Sequence, residues 1–217
     1  MISADRDGKN ARSSVSADQD STFDFLSSLF FSFLFIKLVR YADAEGVDGK
    51  LPIGVNFVLD EFPNLGVIND FKKKISTVRS RNIGISVIFQ NIAQLKNRYP
   101  NDEYLEILGN CDTQIALGCT DEVTARFISN RTGEVTIDVN SQSKQLYAMR
   151  MTDYTPEYRE TNSVGRRKLM TADEVLRMPL DEALIILRGQ NVFKVKKFDY
   201  TRHPESRKLK KCKAAAY

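Results

Sequence analysis

The sequence predicts an α/β fold with a mainly parallel sheet flanked by helices and a β-hairpin at the C-terminal edge. Through the middle of the chain, short continuous apolar runs alternate with stretches of helical spacing. Continuous apolar runs are typical of strands buried on both faces, and the order βαβαβα favours parallel strands joined by right-handed crossovers. With 217 residues, 42% of them hydrophobic, the chain is long enough to bury one sizeable core.

The N-terminal region predicts a leader followed by one helix. Residues 1–20 are polar and lack periodicity, so we expect a flexible leader. Ser21 or Thr22 is the expected N-cap of a helix that runs to about Ala44. Its apolar part, residues 25–39, is interrupted by three serines and one lysine and is shorter than the roughly 20 residues that span a bilayer. We therefore predict a buried helix and no transmembrane segment.

Three strands and two well-marked helices are expected in the middle of the chain. The first strand follows Pro52 and ends in two acidic residues. Phe71, Ile75 and Val78 then recur at helical spacing, and Gly133 is placed to end a later helix. A polar helical stretch separates the second strand from the third. The expected strands are 55–59, 83–90 and 113–119, and the helices are 69–82 and 121–133.

The C-terminal third combines a polar stretch with a regular end. Residues 134–168 predict either a hairpin or a solvated excursion. Thr171 with Glu174 three residues later has the form of a capping box, so a helix begins there and ends before Pro179. Two β-rich runs joined by a Gly-Gln-Asn turn then predict an antiparallel hairpin at the edge of the sheet. Its strands are 183–189 and 192–198.

Charge and cysteine usage narrow the classes of function. The 32 Lys and Arg against 28 Asp and Glu leave a net charge of +4, which is a weak argument for an anionic partner. Residues 205–217 form a basic tail, for which phosphate contacts and plain solvation both remain open. Three cysteines and one histidine lack the spacing of a zinc site, and Cys111 and Cys119 are interpreted as small buried hydrophobes.

Cations and aromatic residues are interleaved within 134–168, as they are in grooves that bind single-stranded nucleic acid. A solvated excursion with ordinary surface tyrosines is the alternative. The residues concerned are Arg150, Tyr154, Tyr158, Arg159, Arg166 and Arg167.

Two acids directly after the first strand are the main candidates for chemistry. In nucleotide hydrolases an apolar strand ends in a carboxylate that holds Mg²⁺, and a neighbouring carboxylate polarises the attacking water. Asp60 and Glu61 have this layout, and Gln90 ends the next predicted strand at the same edge of the sheet. An amide there can bond the attacking water or a phosphate oxygen. An acidic strand end and a plain polar cap are the alternatives.

From about Asp20 to Pro204 the sequence resembles the conjugal coupling ATPases of the TraG/TraD family, which are FtsK-like. The resemblance implies a RecA-like P-loop NTPase core in a hexameric, membrane-anchored protein. It also implies that ATP and Mg²⁺ drive the passage of single-stranded DNA, with its bound relaxase, toward a type IV secretion channel. The segments that carry the resemblance are LDEFPNLG, TVRSRNIGISVIFQNIAQL, NCDTQIALGCTDEVTARFIS and LMTADEVLRMPLDEALIILRG.

The resemblance also implies roles for individual residues. Asp60 and Glu61 become the Walker B carboxylates, with Asp60 on the nucleotide-bound Mg²⁺ and Glu61 as the catalytic base. Gln90 becomes the sensor of the bound nucleotide. Arg81 fits the motif R-x-x-G before the second strand and becomes the arginine finger, acting on the nucleotide of a neighbouring subunit. Arg79 is the alternative finger.

One motif of the family is missing from this sequence. No G-x-x-x-x-G-K-[ST] occurs, and the pair Gly49-Lys50 lacks both the first glycine and the Ser or Thr of that motif. In the family the P-loop and the membrane anchor lie N-terminal to the acid pair. We therefore expect residues 21–204 to be a partial RecA-like domain from the cytoplasmic part of a bacterial inner-membrane protein. On its own it should bind no nucleotide and hydrolyse no ATP.

Two further expectations depend on that partial domain. A face of the first helix that includes Phe23, Phe30 and Phe33 should be left for a partner, because the sheet lacks its remaining strands. The alternative function is a non-enzymatic docking module that uses an inactive RecA-like fold to bind DNA or a secretion substrate. A nuclease is disfavoured, because no further acidic cluster accompanies the acid pair.

Overall fold

A computed structural model of the protein describes residues 2–4, 11–13, 24–144 and 158–209. The chain divides into two compact units, Met1–Thr113 and Gln114–Tyr217. In the leader, strands β1 (Ile2–Ala4) and β2 (Ala11–Ser13) pair in antiparallel fashion. The rest of the leader and both expected N-caps of the first helix lie outside the described residues, so the flexibility of the leader stays a prediction.

The elements follow the predicted order in both units. The first unit continues with α1 (Asp24–Glu45), β3 (Val55–Leu59), α2 (Phe71–Val78), β4 (Ile83–Val87), α3 (Ile92–Arg98) and α4 (Glu103–Gly109). Short 3-10 turns at Phe62–Leu65 and Arg79–Arg81 follow β3 and α2. At the unit boundary β5 (Thr113–Ala116) begins, followed by α5 (Glu122–Thr132), β6 (Glu134–Lys144), β7 (Tyr158–Lys168), α6 (Ala172–Leu176), β8 (Glu182–Leu187) and β9 (Phe193–Lys196).

The first unit is built on a parallel pair of strands and an aromatic core. β3 pairs with β4 in the predicted parallel sense, with Leu59 opposite Val87. Phe35 of α1 packs on Phe57 of β3 with ring centroids 4.5 Å apart. Phe62 packs on Phe71 of α2 at 4.6 Å. Such ring pairs contribute about 0.5–1.5 kcal/mol beyond their burial. Because Phe62 comes directly after the two acids, the same contacts that stabilise the core also hold the acid-bearing loop.

The second unit contains a three-stranded sheet with the order β5-β8-β9. β8 and β9 are antiparallel, so the predicted C-terminal hairpin at a sheet edge is confirmed. The βαβαβα order had assigned β5 to the parallel sheet of β3 and β4, whereas its described partner is β8. β8 carries Leu184 into an apolar cluster with Ala125 and Ile128 of α5 and Val175 of α6.

The described parts of 134–168 are two paired strands rather than an irregular excursion. β6 and β7 make an eleven-residue antiparallel ribbon in which Glu134 lies opposite Lys168 and Lys144 opposite Tyr158. Its described side chains are largely exposed. Residues 145–157, with Arg150 and Tyr154, lie outside the described part of the chain.

Helix α1 corrects one prediction. Only Ser27, Phe35 and Ala42 are buried along its 22 residues, and large apolar side chains such as Phe25, at 69% exposure, face outward. The prediction of a buried helix is therefore wrong, because apolar residues surround this helix and the unit packs against one side of it. Phe30 is also exposed, as expected for an uncovered face.

The length of α1 also bears on the membrane prediction. The helix has the length and composition of a membrane span, with a mean hydropathy of 1.5, so the segment is not too short to cross a bilayer. Core helices of soluble proteins and signal sequences share this length and composition.

The predicted capping box at the start of α6 is present and supports a stability prediction. The Glu174 amide donates to Thr171 Oγ1 at 3.3 Å, and the Thr171 amide donates to Glu174 Oε2 at 2.8 Å. We expect Thr171→Ala to lower the free energy of unfolding by about 1 kcal/mol, because an N-cap acceptor is lost. Chemical denaturation measures this, with Thr120→Ala, an exposed loop threonine, as the matched control.

The same box predicts a pH effect. The Thr171 amide, and in addition Arg167, lower the pKa of the Glu174 carboxyl below its ordinary value. A lowered carboxyl pKa stabilises the fold above the ordinary pKa, and this stabilisation is lost as the pH falls through the lowered value. Glu174→Gln should therefore lower the stability at neutral pH, and its difference from the parent should shrink in acid. An equal difference at neutral and acid pH would contradict this account.

Candidate functional site

Asp60 and Glu61 lie directly after β3. Ile88, the residue that follows β4, is hydrogen-bonded to the residues on either side of this acid pair. The Ile88 amide donates to Leu59 O at 2.9 Å, and the Phe62 amide donates to Ile88 O at 2.9 Å. The chain therefore leaves the β3–β4 ladder after Leu59 and rejoins it at Phe62. The two acids form a two-residue excursion with fixed ends. Asp60 is exposed and Glu61 is half-buried.

Glu61 adopts the left-handed backbone conformation, with φ 47° and ψ 43°. A non-glycine residue there costs roughly 1–2 kcal/mol and persists only where its surroundings determine it. Asn64 supplies two of the contacts that do so. Its backbone amide donates to Glu61 O at 2.7 Å, and its side-chain Nδ2 donates to Glu61 Oε2 at 3.0 Å. The Glu61 amide in turn donates to Asp60 Oδ1 at 3.0 Å.

The loop after the acids is held by the two residues that follow each other at the end of α3. Arg98 Nε donates to Pro63 O at 2.6 Å, and the Ile68 amide donates to the Tyr99 hydroxyl at 3.2 Å. The Tyr99 ring stacks on Phe62 at 5.3 Å with an interplanar angle of 5°. Tyr99 is 2% exposed, and this burial raises its pKa to about 12. These contacts leave the loop little freedom between Pro63 and Ile68.

Gly66 ends the loop with a conformation that only glycine adopts easily, φ 80° and ψ 171°. A Cβ atom there would lie 2.6 Å from the backbone oxygen of Asp24 in the first turn of α1. Ser28 Oγ of the same helix also donates to Val67 O. The glycine of LDEFPNLG thus lets the loop pass directly against α1.

Gln90 follows β4 by three residues, because this strand ends at Val87 rather than at residue 90 as predicted. Its side chain is exposed, and it immediately precedes Asn91, the N-cap of α3, whose Oδ1 accepts from the Gln94 amide at 2.8 Å. β3 and β4 are parallel, so their carboxyl ends lie at one edge. The structure therefore brings Asp60, Glu61 and Gln90 to the same edge of this strand pair.

The arginines lie at the other end of β4. Arg81 directly precedes that strand, and five residues of strand span about 16 Å. Its Nε and Nη2 donate to Asp43 Oδ1 and Oδ2 at 2.9 and 3.2 Å, and its Nη1 donates to Thr77 O at 2.9 Å. Arg79 pairs with Asp112 at 2.7 Å. The structure does not bring either arginine to the acids of the same chain.

The glycine of the R-x-x-G motif has a local role. Gly84 lies opposite Asn56 of β3, and a Cβ atom at Gly84 would lie 2.3 Å from Asn56 Oδ1. The absence of a side chain at position 84 therefore leaves room for the Asn56 amide. The glycine of the motif is therefore required for packing between neighbouring strands, whatever the role of the arginine.

The acids suit a hard cation. Carboxylate oxygens are the donors that Mg²⁺ takes, usually one or two from the protein with water and phosphate oxygens completing the shell. The exposed Asp60 carboxylate, with that of Glu61 beside it in sequence, offers such a donor set. Within the described part of the chain, no group of three or more His, Cys, Asp or Glu forms a metal site of its own. Water and the phosphate oxygens of a ligand would have to supply the remaining ligands.

The other predicted candidates give a mixed result. Arg166 is exposed on β7, whereas Arg167 Nη2 donates to Glu174 Oε1 at the start of α6. Cys111 and Cys119 form no disulfide within the described part of the chain, and both are half-buried rather than fully buried. Burial raises the pKa of the Cys119 thiol, as expected for an unreactive cysteine. The basic tail is described only as far as residue 209.

Sequence reasoning missed the residues that position the acids. Asn64 could have been found, because an amide three residues after an acid in a tight turn has the spacing of a side-chain contact. Arg98 and Tyr99 left no local signal. Their partners, Pro63 and Ile68, lie 35 and 31 residues away in the chain.

Comparisons with known proteins agree on one family. Residues 15–216 match the family described as Type IV secretory system Conjugative DNA transfer. The conjugal transfer protein TraG of Escherichia coli is 32% identical over 149 residues, covering 64% of this chain and 22% of TraG. The chain thus spans less than a quarter of the length of this relative.

Solved structures show the same fold. The bacterial conjugative coupling protein TrwBdeltaN70 matches with a TM-score of 0.61 and 15% identity, covering 80% of this chain and 37% of that one. TrwB in complex with ADP and Mg²⁺ matches with a TM-score of 0.58 and 15% identity, covering 84% of this chain and 40% of that one. The predicted α/β fold, part of a RecA-like core, is confirmed.

The buried tyrosine that anchors the loop yields a prediction. We expect Tyr99→Phe to lower the free energy of unfolding by about 1–3 kcal/mol at neutral pH, because the buried Ile68 amide loses its acceptor. Denaturation monitored by circular dichroism measures the change. Tyr200→Phe, at an exposed tyrosine, is the matched control.

The pKa of Tyr99 adds a pH dependence to the same variants. A phenol whose pKa is raised to about 12 by folding stabilises the protein below its ordinary pKa of 10.0, and this stabilisation is lost as the pH rises from 10.0 towards 12. The parent and Tyr200→Phe should therefore lose stability over this range more steeply than Tyr99→Phe. An equal loss of stability with pH in all three proteins would show that Tyr99 does not cause this pH dependence.

Proposed function

Because the chain belongs to the Type IV secretory system Conjugative DNA transfer family, we propose that it forms the Walker B part of a coupling ATPase. In the complete protein this ATPase moves single-stranded DNA with its relaxase into a type IV secretion channel. The observation that carries the proposal is the acid excursion, fixed at both ends by Ile88 and placed at the strand edge where Gln90 follows β4. The complete protein is a homo-hexamer whose cytoplasmic domain is anchored at the inner membrane.

The acids and the amide would divide the work of hydrolysis. Asp60 would hold a nucleotide-bound Mg²⁺, which supplies positive charge that offsets the charge of the phosphates. Glu61 would orient the attacking water and accept its proton, with its carboxylate held by Asn64 Nδ2. Gln90 would donate to a phosphate oxygen or to the water, so that its contacts change when the phosphate leaves. TrwB in complex with ADP and Mg²⁺ supports this choice of ligand.

The arginine finger would come from a neighbouring subunit, so it needs a guanidinium that can leave its own chain. Arg81 is 21% exposed and is held by Asp43 and Thr77 through three hydrogen bonds. Arg79 is 68% exposed and pairs with Asp112. Between the two arginines, Arg79 meets the requirement with less rearrangement. Arg81 would act in this way only when a nucleotide phosphate outcompetes Asp43.

A P-loop is required for this chemistry, because its backbone amides hold the phosphates. We expect this chain alone to hydrolyse no ATP, and the same chain fused behind the P-loop segment of a family member to hydrolyse it with Mg²⁺. Glu61→Gln in the fusion should lower kcat by about 10²–10⁴, the usual contribution of a general base. Phosphate release measures the rate, and Glu45→Gln, an exposed acid at the end of α1, is the control.

Two results would contradict this proposal. Hydrolysis by the chain alone that disappears in Glu61→Gln would show that no P-loop is needed. An active fusion in which Glu61→Gln keeps its rate would remove Glu61 from the reaction. Binding of DNA or a secretion substrate, together with an inactive fusion, would instead favour the non-enzymatic docking module.

The ribbon of β6 and β7 offers a contact for single-stranded DNA. Arg166 is exposed there, whereas Arg167 is engaged with Glu174, so the two arginines should behave differently. We expect Arg166→Ala to weaken binding of an oligonucleotide and to reduce the slope of log K against log salt by about 0.7, the value for one phosphate contact on a single strand. Fluorescence anisotropy at several salt concentrations measures this slope.

Arg167→Ala is the matched comparison for the DNA experiment. Its loss removes the contact with Glu174 and should affect the stability of α6 more than the salt slope. An unchanged slope in Arg166→Ala would mean that the ribbon is a solvated surface.

A further inference from the structure

Helix α3 connects Gln90 with the loop that carries the acids. It begins after Gln90 and Asn91, and its seven residues extend for about 10 Å. Ile92 and Leu95 are buried and fix the helix in the first unit. The packing of α3 therefore sets the position of the residues at its C-terminal end.

Arg98, the last residue of that helix, bridges two separate elements. Its Nε donates to Pro63 O in the acid loop at 2.6 Å, and its Nη2 donates to Asp24 Oδ2 at the start of α1 at 3.1 Å. The two side chains are 32% and 21% exposed, so the bridge is partly screened from water. A guanidinium can make both contacts at once because its donors form a planar fork. Pro63 lies only two residues beyond Glu61.

Tyr99 completes the attachment at the other end of the loop. Its hydroxyl accepts from the Ile68 amide, and its ring stacks on Phe62. Two consecutive residues at the end of α3 thus hold the loop near its beginning and at its end. Phe62 is in addition bonded to Ile88, two residues before Gln90. The acid excursion is therefore fixed from the β4 side and from the α3 side.

We propose that Arg98 is a positioning residue for the Asp60-Glu61 pair, acting through Pro63 in the loop that follows the acids. The inference deepens the proposed function and rests on it. Arg98 takes no part in proton transfer. It holds the carbonyl of Pro63, and thereby the left-handed turn at Glu61, in place. Asp24 keeps the guanidinium oriented toward that carbonyl.

The first experiment measures backbone hydrogen exchange by NMR in the chain itself. In Arg98→Ala we expect the amides of Phe62, Asn64 and Ile68 to exchange about ten- to a hundredfold faster, the factor that corresponds to one lost charge-assisted hydrogen bond. The amides of α2 should keep their rates. Arg98→Lys keeps the charge but lacks the fork of guanidinium donors, so its loop amides should exchange at rates between those of the parent and those of Arg98→Ala. Lys96→Ala, an exposed cation on the same helix, is the control.

The second experiment measures hydrolysis in the fusion that carries a P-loop. Arg98→Ala should lower kcat about ten- to a hundredfold, as expected for a small misplacement of catalytic groups. KM for ATP should stay within about twofold, because the hydrogen bonds that Arg98 makes among the described residues go to the loop and to α1. Arg98→Lys should recover part of the loss in kcat. Because a smaller folded fraction would also lower the apparent kcat at constant KM, each rate is divided by the folded fraction measured by circular dichroism.

Three outcomes would overturn the inference. The loop amides of Arg98→Ala could exchange as in the parent, or exchange could rise throughout the first unit, and in either case Arg98 does not hold the loop specifically. Faster exchange confined to the loop, together with an unchanged kcat, would show that the position of the loop does not affect hydrolysis. If the fusion with all native residues fails to hydrolyse ATP, the proposed function fails, whereas the exchange rates still decide whether Arg98 holds the loop.

Discussion

The pair of hydrogen bonds made by Ile88 is the constraint on which the candidate site depends. Parallel strands normally continue their ladder residue by residue, but here the partner strand leaves after Leu59 and returns at Phe62. The two residues left out are the acids. Their side chains are held at the strand edge without a place in the ladder, and the left-handed turn at Glu61 is the conformational cost of closing so short a detour.

The return of the chain at Phe62 joins the site to the core. Phe62 is fully buried and packs against Phe71 and Tyr99, so the first residue after the acids belongs to the aromatic cluster of the first unit. A surface loop with this anchor cannot drift far without opening the core. Precise placement of the acids and stability of the unit are therefore two consequences of the same packing, and a change at Phe62 would affect both.

Local patterns were sufficient to locate the acids and the amide, but not what holds them. Asp60, Glu61 and Gln90 are found because a strand end and its polar residues are adjacent in sequence. Arg98 and Tyr99 contact a loop more than 30 residues earlier, and no periodicity encodes that pairing. The burial of α1 was mispredicted for a related reason. A run that is apolar on every side specifies a helix but not which side the rest of the unit covers.

The arginine motif illustrates how a family pattern and a structural need can coincide. Gly84 leaves room for Asn56 on the neighbouring strand, and Arg81 ties the end of α2 to Asp43 of α1 through a bidentate contact. Both residues thus have a structural role within a single chain. A nucleotide across an interface would have to compete with Asp43 for Arg81. An Arg81 finger would therefore exchange its bidentate contact with Asp43 for charge-assisted hydrogen bonds to the phosphate.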